Sequence, residues 1–210
     1  MYIPSSFVET DIRKLHEFIE AHRFASLITQ TGTGTVASHL PLLLDRQAGS
    51  RGRLIGHMAR ANVQWKEADG TEALVICQGP HAYISPSWYE DKNVVPTWNY
   101  IAVHAYGTLR IVSDRGSLLQ TLRDTVGKYE HGSLAPWSLD QPDERFIDGL
   151  LDSIVGFEIE ITRIEGKWKL SQNHTPERRM RVIEALNQTA GERQHHIAAL
   201  MLQTLDEEPA

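Results

Sequence analysis

Alternating apolar and polar residues predict that much of this chain folds as β-strand. The longest alternating stretch begins at Pro96 and continues past residue 110. One of its faces carries Ile101, Val103, Ala105, Leu109 and Ile111, and the other carries Trp98, Tyr100, His104 and Tyr106. The first face suits a barrel interior, whereas the second suits an interface or a ring-shaped ligand. A strand of this length is expected to bend around a barrel.

Shorter apolar or alternating segments predict the remaining strands. They are Phe24–Gln30, Val36–Asp45, Leu54–Ala59, Glu72–Gln78, Ala82–Ser85, Gly156–Ile164 and Lys167–Asn173. Thr31–Thr35 has the composition of a hairpin turn. We expect Gly79-Pro80 to end the strand before it, and Gly166 to turn the chain.

Apolar residues at helical spacing predict several helices around these strands. They are Asp11–His22, Val63–Asp69, a helix opened by Ser113 or Asp114, Pro142–Leu151, a helix capped by Thr175, and His196–Leu205. The apolar stripe of the last helix has no evident target within the chain, so we expect it to pack on a second subunit. Because strands and helices do not alternate regularly, the pattern indicates a mainly β, α+β fold: an antiparallel barrel with peripheral helices.

Composition narrows the class of protein. The 210 residues are 41% hydrophobic and 23% charged, as in an ordinary soluble globular protein. No apolar run has membrane-spanning length, and the N-terminus lacks the regions of a signal peptide. A single cysteine, Cys77, fits a reducing cytoplasm. The net charge of −6 argues against broad binding to nucleic acid, and we expect the one basic cluster, residues 178–181, to be a solvated helix face.

Metal binding and nucleophilic catalysis find little support in the sequence. The ten histidines are scattered, and none of them has the helical spacing of a zinc site. No Gly-x-Ser-x-Gly motif is present, and Cys77 lies in an apolar run, which indicates an inert buried thiol. We therefore predict no metal site and assign no catalytic residue.

The segment Leu54–Trp65 carries the first candidate for ligand chemistry. A predicted strand ends there where a helix begins, and Asn62 is placed to cap that helix. Free N–H groups at such a turn favour an anion, and Arg60 adds a full positive charge. The turn is therefore either a phosphate site or an ordinary capped turn beside a solvated arginine.

Two segments combine aromatic rings with hydrogen-bonding side chains. They are Ser85-Pro86-Ser87-Trp88-Tyr89 and Val95-Pro96-Thr97-Trp98-Asn99-Tyr100. Flat heteroaromatic ligands require stacking surfaces together with directed polar groups. A dimer interface rich in Trp and Tyr would have the same composition. Both interpretations hold if the ligand lies in the interface.

Six segments together resemble the PaiB family of FMN-binding split-barrel proteins, which are described as negative transcriptional regulators. They are Met-Tyr-Ile-Pro-Ser-Ser-Phe (1–7), Ala-Ser-His-Leu-Pro (37–41), Gly-His-Met-Ala-Arg-Ala-Asn (56–62), Gly-Pro-His-Ala-Tyr-Ile-Ser-Pro (79–86), Val-Pro-Thr-Trp-Asn-Tyr (95–100) and Lys-Leu-Ser-Gln-Asn (169–173). The resemblance runs in order from residue 1 to beyond 190. Val63 departs from it, since proline is expected after Asn62.

The resemblance implies a six-stranded split-barrel homodimer with FMN in the cleft between subunits. Its FMN-binding domain would span residues 1–173, and residues 174–210 would form a helical extension on the barrel or the partner. The implied phosphate site is Arg60 with the Asn62 turn. Ser38 and His39 would lie beside the flavin, Lys169 and Gln172 would approach its ring, and Trp98 and Asn99 would come from the partner. His57 belongs to the same implied set of cofactor-binding residues.

Three hypotheses for function follow. The first is a cytoplasmic PaiB-type regulator, a role that rests on resemblance only, because no helix-turn-helix is recognisable and the acidic charge makes direct DNA binding doubtful. The second is a flavin-dependent oxidoreductase acting on a small molecule. The third is a haem-binding relative in which one of the scattered histidines binds iron.

Overall fold

The computed structural model describes residues 1–32, 34–89 and 91–206. Its strands are β1 (Val8–Glu9), β2 (Phe24–Thr31), β3 (Gly34–Pro41), β4 (Leu43–Asp45), β5 (Arg53–Ala59), β6 (Glu72–Ile84), β7 (Thr97–Val112) and β8 (Ile154–Lys169). Its helices are α1 (Ile12–Ala21), α2 (Trp65–Ala68), α3 (Arg115–Glu130), α4 (Glu144–Asp152), α5 (Pro176–Gln188) and α6 (Glu192–Asp206).

The strands form one antiparallel sheet in the order β3-β2-β6-β7-β8-β5-β4, and β1 pairs with β8. Among the described residues, β1 and β4 have two and three residues, and the other strands have seven or more. Six longer strands agree with the six-stranded barrel that the family resemblance implies. The predicted mainly β fold with peripheral helices is therefore confirmed.

The chain divides into two compact units, which we call the terminal and the central unit. The terminal unit comprises Met1–Phe18, Gln78–Val103 and Glu165–Ala210. The central unit comprises Ile19–Cys77 and His104–Ile164.

The central unit has a core of alternating strand residues. Leu27, Leu54, Val75, Leu109 and Phe157 are fully buried there, because each lies on the inward face of its strand. The terminal unit has its own core, which includes Leu15, Tyr89, Ile101, Leu170 and Met201. On β7, Ile101, Val103, Ala105 and Leu109 are buried and Trp98 is exposed, as the alternation predicts. Ile111, predicted on the same face, is only half-buried, and Ala102 is buried although it lies between two inward positions.

Two predicted strand breaks are wrong. Gly79-Pro80 lies inside β6, which continues to Ile84. Its buried residues lie at odd positions up to Cys77 and at even positions from Ala82, so the pair shifts the alternation without ending the strand. Gly166 likewise lies within β8. A Cβ on Gly166 would lie 2.3 Å from Leu15 Cδ2, so close packing of α1 explains this glycine.

The predicted return strand Val36–Asp45 is two strands. β3 pairs with β2 as far as Pro41, whereas β4 pairs with β5. Leu42 separates them and is 2% exposed. The predicted hairpin turn includes residue 33, which lies outside the described residues.

The C-terminal helices correct two further expectations. The stripe of α6 is buried within the chain, because α6 packs on α5 and both Ile197 and Met201 are 0% exposed. It therefore needs no second subunit to cover it. The basic cluster is not a solvated face either. Arg179 is 0% exposed and donates to Thr204 Oγ1 at 2.6 Å, and Arg178 pairs with Asp91.

None of the described helices combines the length and the apolar character that crossing a membrane requires.

Candidate functional site

Ser38 and Asn62, both predicted to bind the cofactor, are hydrogen-bonded to each other in the central unit. Asn62 Nδ2 donates to Ser38 Oγ at 2.8 Å, and Ser38 Oγ donates to Gln64 Oε1 at 2.6 Å. Asn62 Oδ1 accepts from the backbone N–H of Gln64 at 3.1 Å. Asn62 thus closes a turn within the chain, and its side chain is already hydrogen-bonded at both ends.

Gln64 is the centre of this network and was missed by the sequence analysis. Its side chain is 0% exposed. Nε2 lies 3.0 Å from Thr29 Oγ1 and 3.3 Å from the carbonyl oxygens of Leu27 and Val36. A buried amide needs such partners to offset the loss of water, so Gln64 ties the β2–β3 hairpin to the turn. No local pattern distinguishes this glutamine from a surface residue.

The helix after the turn is shorter than predicted. The sequence predicts a helix over Val63–Asp69 capped by Asn62, whereas α2 covers only Trp65–Ala68 and follows Gln64 without a side-chain cap. One helical turn has little aligned dipole. An anion at this turn would therefore depend on the charge of Arg60.

Arg60 is exposed and has two backbone partners in the central unit. Its Nε donates to the carbonyl oxygen of Asp152 at 2.7 Å, and its Nη2 donates to that of Ile154 at 2.8 Å. No ion pair joins Arg60 to a carboxylate among the residues that the structure describes. The guanidinium is therefore positioned by the backbone while its charge stays available to a ligand.

The two predicted histidines have different surroundings. His39 is exposed on β3, and its Nδ1 lies 3.0 Å from Ser26 Oγ. His57 is half-buried on β5, opposite Gly156. Burial lowers the pKa of His57 below its ordinary value of 6.5, because the imidazolium loses water there. His57 is thus predominantly neutral at pH 7.

Trp98 is at the centre of an exposed aromatic group in the terminal unit. Its side chain is 53% exposed and Tyr83 is 46% exposed. The Trp98 ring centroid lies 5.9 Å from that of Tyr83, nearly perpendicular to it, and 6.1 Å from that of His81. Such a surface suits stacking with a planar ligand or contact with another protein surface.

Asn99 follows Trp98 in sequence but faces the interior. It is 0% exposed, and its Nδ2 donates to Ser171 Oγ at 3.0 Å and to Met201 Sδ at 3.3 Å. Ser171 has a φ of 67°, unusual for a residue other than glycine, and its hydroxyl also lies 3.3 Å from Tyr89 Oη. The Asn99 side chain is therefore used within the fold.

Lys169 and Gln172 lie near each other at the end of β8 but differ in availability. Gln172 Nε2 donates to the Trp168 carbonyl at 2.6 Å, and its Oε1 accepts from Leu170 N at 2.7 Å, so it closes the turn. Lys169 Nζ donates to Thr97 Oγ1 and to the Trp98 carbonyl, leaving one N–H of the ammonium. Burial, and secondarily the charge of Lys167, lowers the pKa of Lys169.

A cavity of about 290 Å³ in the terminal unit brings two of the predicted residues together. Lys169 and Asn99 both line it, with Thr97, Ser171 and His174. Burial, followed by the charges of Arg178 and Lys169, lowers the pKa of His174. Sequence analysis missed His174, although its position just before the Thr175-Pro176 helix start placed it beside the Lys169 segment.

In the described part of the chain, no arrangement of side chains suits metal binding or thiol chemistry. Within it, no three side chains of His, Cys, Asp or Glu are grouped to hold a metal ion. Cys77 is buried as predicted, and burial raises its pKa to about 12. Its thiol is thus protonated and unreactive at neutral pH.

The donor set fits FMN through its cations and rings. In the central unit, Arg60 is a cation of the kind that the phosphate needs. In the terminal unit, Trp98 and Lys169 offer aromatic surface and a polar contact of the kind that the isoalloxazine ring needs. Asn62, Asn99 and Gln172 fit less well, because their amides are already hydrogen-bonded within the fold. When bound, FMN supplies redox chemistry; the chain supplies charge, stacking and orientation.

The fold is shared with flavin-binding split barrels of very different sequence. The flavocytochrome Anf3 from Azotobacter vinelandii superposes with a TM-score of 0.57 at 12% identity, covering 77% of this chain and 69% of that one. The FAD and heme binding protein from Mycobacterium smegmatis superposes with a TM-score of 0.57 at 11% identity, covering 82% and 78%.

Residues 1–163 match the family model described as "Putative FMN-binding domain". The protease synthase and sporulation protein PAI 2 of Bacillus subtilis strain 168 is 36% identical over 202 residues, which are 96% of each chain. The chain therefore belongs to this family of FMN-binding proteins, the PaiB family, and its cofactor is FMN. The resemblance inferred from the six motifs is confirmed.

Proposed function

We propose that this protein is a cytoplasmic FMN-binding homodimer with a regulatory role of the PaiB type. The observation that carries the proposal is the similarity to PAI 2 over nearly the whole chain, named for protease synthesis and sporulation. The cytoplasmic location is proposed because the chain's single cysteine is buried and forms no disulfide.

We assign the flavin phosphate to Arg60. Its guanidinium is exposed, is oriented by two backbone carbonyls, and pairs with no described carboxylate. Ser38, His39, His57 and Asn62 belong to the same unit and are proposed to form the surroundings of the cofactor, with Ser38 and Asn62 acting through the shape of the turn.

We assign contacts with the flavin ring to Trp98 and Lys169. Trp98, supplied by the partner subunit, offers an exposed ring. Lys169 donates to the Trp98 carbonyl of its own chain, so it would approach the ring from the same subunit, and we propose that it acts on the flavin through its charge. Asn99 and Gln172 are proposed to act indirectly, since Asn99 is buried beside Ser171 and Gln172 closes the turn after Lys169.

The exposed aromatic residues support a dimer. Trp98 and Tyr83 are 53% and 46% exposed and contact each other, which is more aromatic surface than a lone chain normally exposes at one place. In a two-fold dimer the same patch would be buried on both copies. Light scattering at micromolar concentration distinguishes the dimer from a monomer.

Flavin-dependent oxidation or reduction of a small molecule is the second candidate, because Lys169 lines a cavity beside residues assigned to the cofactor. The net charge of −6 continues to disfavour direct DNA contact, so we propose that regulation does not require tight DNA binding by the protein alone. A DNA-binding assay at physiological salt separates these roles, and an absorption spectrum separates flavin from haem.

The phosphate assignment predicts that Arg60→Ala weakens FMN binding by about ten- to a hundredfold, because a charge-assisted contact to a dianion is lost. Riboflavin, which lacks the phosphate, should bind similarly to the variant and the parent protein. Titrations followed by flavin fluorescence measure both ligands.

Arg60→Lys is the matched control, since it keeps the charge but not the two divergent bonds to Asp152 and Ile154. We expect it to retain more FMN affinity than Arg60→Ala, while both variants lose roughly 1 kcal/mol of stability. Equal loss of FMN and riboflavin affinity in Arg60→Ala would place the phosphate elsewhere.

A further inference from the structure

The cavity in the terminal unit carries one positive charge that the described residues do not neutralise. Lys169 is half-buried, and no ion pair joins it to a described carboxylate. None of the described residues that line the cavity is Asp or Glu. Asp91, also in this unit, is paired with Arg178. A partly desolvated ammonium without a carboxylate is a site for an anion.

The charge of the cavity matches a monoanion better than a phosphate dianion. His174 also lines it, but burial and the charges of Arg178 and Lys169 lower its pKa, so it is predominantly neutral at pH 7. Among the described residues that line the cavity, Lys169 then supplies the one full charge, with a single remaining N–H. Phosphate dianions are usually met by several cations or a set of backbone N–H groups.

The walls of the cavity are suited to an apolar or aromatic body. The Tyr89 and His174 rings lie 4.7 Å apart between centroids, tilted by 39°. Phe7 is 7% exposed and lines the same space. A volume of about 290 Å³ is at the small end for ligand pockets, which suits a molecule of one ring.

Polar groups around Lys169 are held in place before any ligand arrives. Thr97 Oγ1 and the Trp98 carbonyl accept from Nζ, and the Ser171 hydroxyl is fixed between Asn99 and Tyr89. A preorganised ammonium loses little conformational entropy on binding. Lys169 can therefore contact an anion without rearrangement of the turn.

We propose that this cavity binds a small organic monocarboxylate, with Lys169 as the anion contact and Phe7, Tyr89 and His174 around its apolar body. A role of the carboxylate as substrate or effector rests on the proposed function, because only bound FMN would allow the carboxylate to be oxidised or reduced. Binding of the acid itself does not depend on FMN.

Benzoate is the probe, and benzamide is its neutral counterpart of the same shape. We expect benzoate to perturb the NMR signals of His174 and of the Lys169 segment at concentrations where benzamide does not. Lys169→Met should weaken benzoate binding by about ten- to a hundredfold, while Lys169→Arg retains much of it. Equal binding of the two probes, or unchanged affinity in Lys169→Met, would overturn the proposal.

Lys167→Met is the matched control on the same strand. Lys167 Nζ donates to the Tyr2 carbonyl and does not line the cavity, so its removal should leave benzoate affinity within about twofold. Urea unfolding of each variant establishes that it is folded. Loss of benzoate binding in Lys167→Met as large as in Lys169→Met would contradict a specific contact.

FMN titrations, followed by flavin fluorescence, keep the two proposals separable. If FMN binds and benzoate binds with similar affinity in its presence, both proposals stand. If FMN displaces benzoate competitively, the cavity belongs to the flavin and the carboxylate assignment fails. Benzoate binding with no FMN binding would instead contradict the proposed function alone. Inorganic phosphate competing as strongly as benzoate would overturn the choice of a carboxylate.

Discussion

The central and the terminal unit each contain a polar cluster that includes residues which the family resemblance assigns to cofactor binding, and the two clusters differ in what their donors contact. In the central unit the amides of Asn62 and Gln64 are hydrogen-bonded to protein atoms, and Gln64 is 0% exposed. In the terminal unit Lys169 lines a cavity and keeps one N–H. The first cluster therefore stabilises the fold, whereas the second can contact a ligand directly.

The largest expected effect comes from the central cluster. Gln64→Met keeps the shape of the side chain but removes its hydrogen bonds to Ser38 and Thr29 and its contacts with two strand carbonyls. Since buried groups left without partners each cost about 1–3 kcal/mol, we expect roughly 3 kcal/mol of destabilisation in urea unfolding.

Gln203→Met is the control for that variant, because Gln203 is exposed on α6. It should change the free energy of unfolding by less than about 0.5 kcal/mol. If Gln64→Met changed the free energy of unfolding as little as Gln203→Met, the central cluster would not stabilise the fold. The contrast drawn between the two units would then be wrong.

A smaller loss is expected from Asn99→Leu in the terminal unit. Asn99 is also 0% exposed, but Ser171 retains Tyr89 as a partner when the amide is removed. Fewer polar groups are left unsatisfied than at Gln64, so we expect roughly 1–2 kcal/mol of destabilisation, measured in the same way.

Asn187→Leu, at an exposed position of α5, provides the reference for this change. A stability loss in Asn99→Leu that exceeds the loss in Gln64→Met would show that the terminal cluster contributes more to the stability of the fold than the central cluster. That outcome would reverse the comparison between the units.

Much of the fold was predictable, because strand alternation and helical spacing are local properties. Most of the buried face of β7 follows directly from them. So does the start of α3, where Asp114 accepts from Ser117 N at 2.7 Å. The predictions are wrong at positions whose conformation depends on contacts with distant parts of the chain. The sequence predicts a turn at Gly166, whereas in the structure the missing side chain makes room for Leu15, which is distant in sequence.

The candidate site was less predictable than the fold. Motifs identified the family and drew attention to Arg60 and Lys169, but residue type alone could not show which amides are used internally. Arg179 illustrates the same limit, since a charged residue in a basic run proved to be 0% exposed and bonded to Thr204 on α6. Availability to a ligand is a tertiary property, and it was decided by contacts across the fold.

The smallest expected effect concerns two histidines, one in each unit. Burial alone lowers the pKa of His57, whereas burial together with the charges of Arg178 and Lys169 lowers that of His174. Both groups bind protons less readily when folded, so their contributions to stability are complete above pH 6.5, the ordinary pKa. Those contributions are lost as pH falls through the lowered values. His57→Gln should therefore make stability less sensitive to acid.

Raising the salt concentration distinguishes burial from nearby charge as the cause of a lowered histidine pKa. Dissolved ions screen the charges of Arg178 and Lys169, so raising the salt concentration should raise the pKa of His174 toward its ordinary value. The pKa of His57 should respond less, because desolvation is its only cause. Proton NMR titrations of both imidazoles at low and high salt measure these pKa values directly.

Lys169→Met should raise the pKa of His174 without changing the pKa of His57. Equal responses of the two histidines to salt and to Lys169→Met would mean that the terminal cavity holds no excess positive charge, and the contrast between the units would disappear.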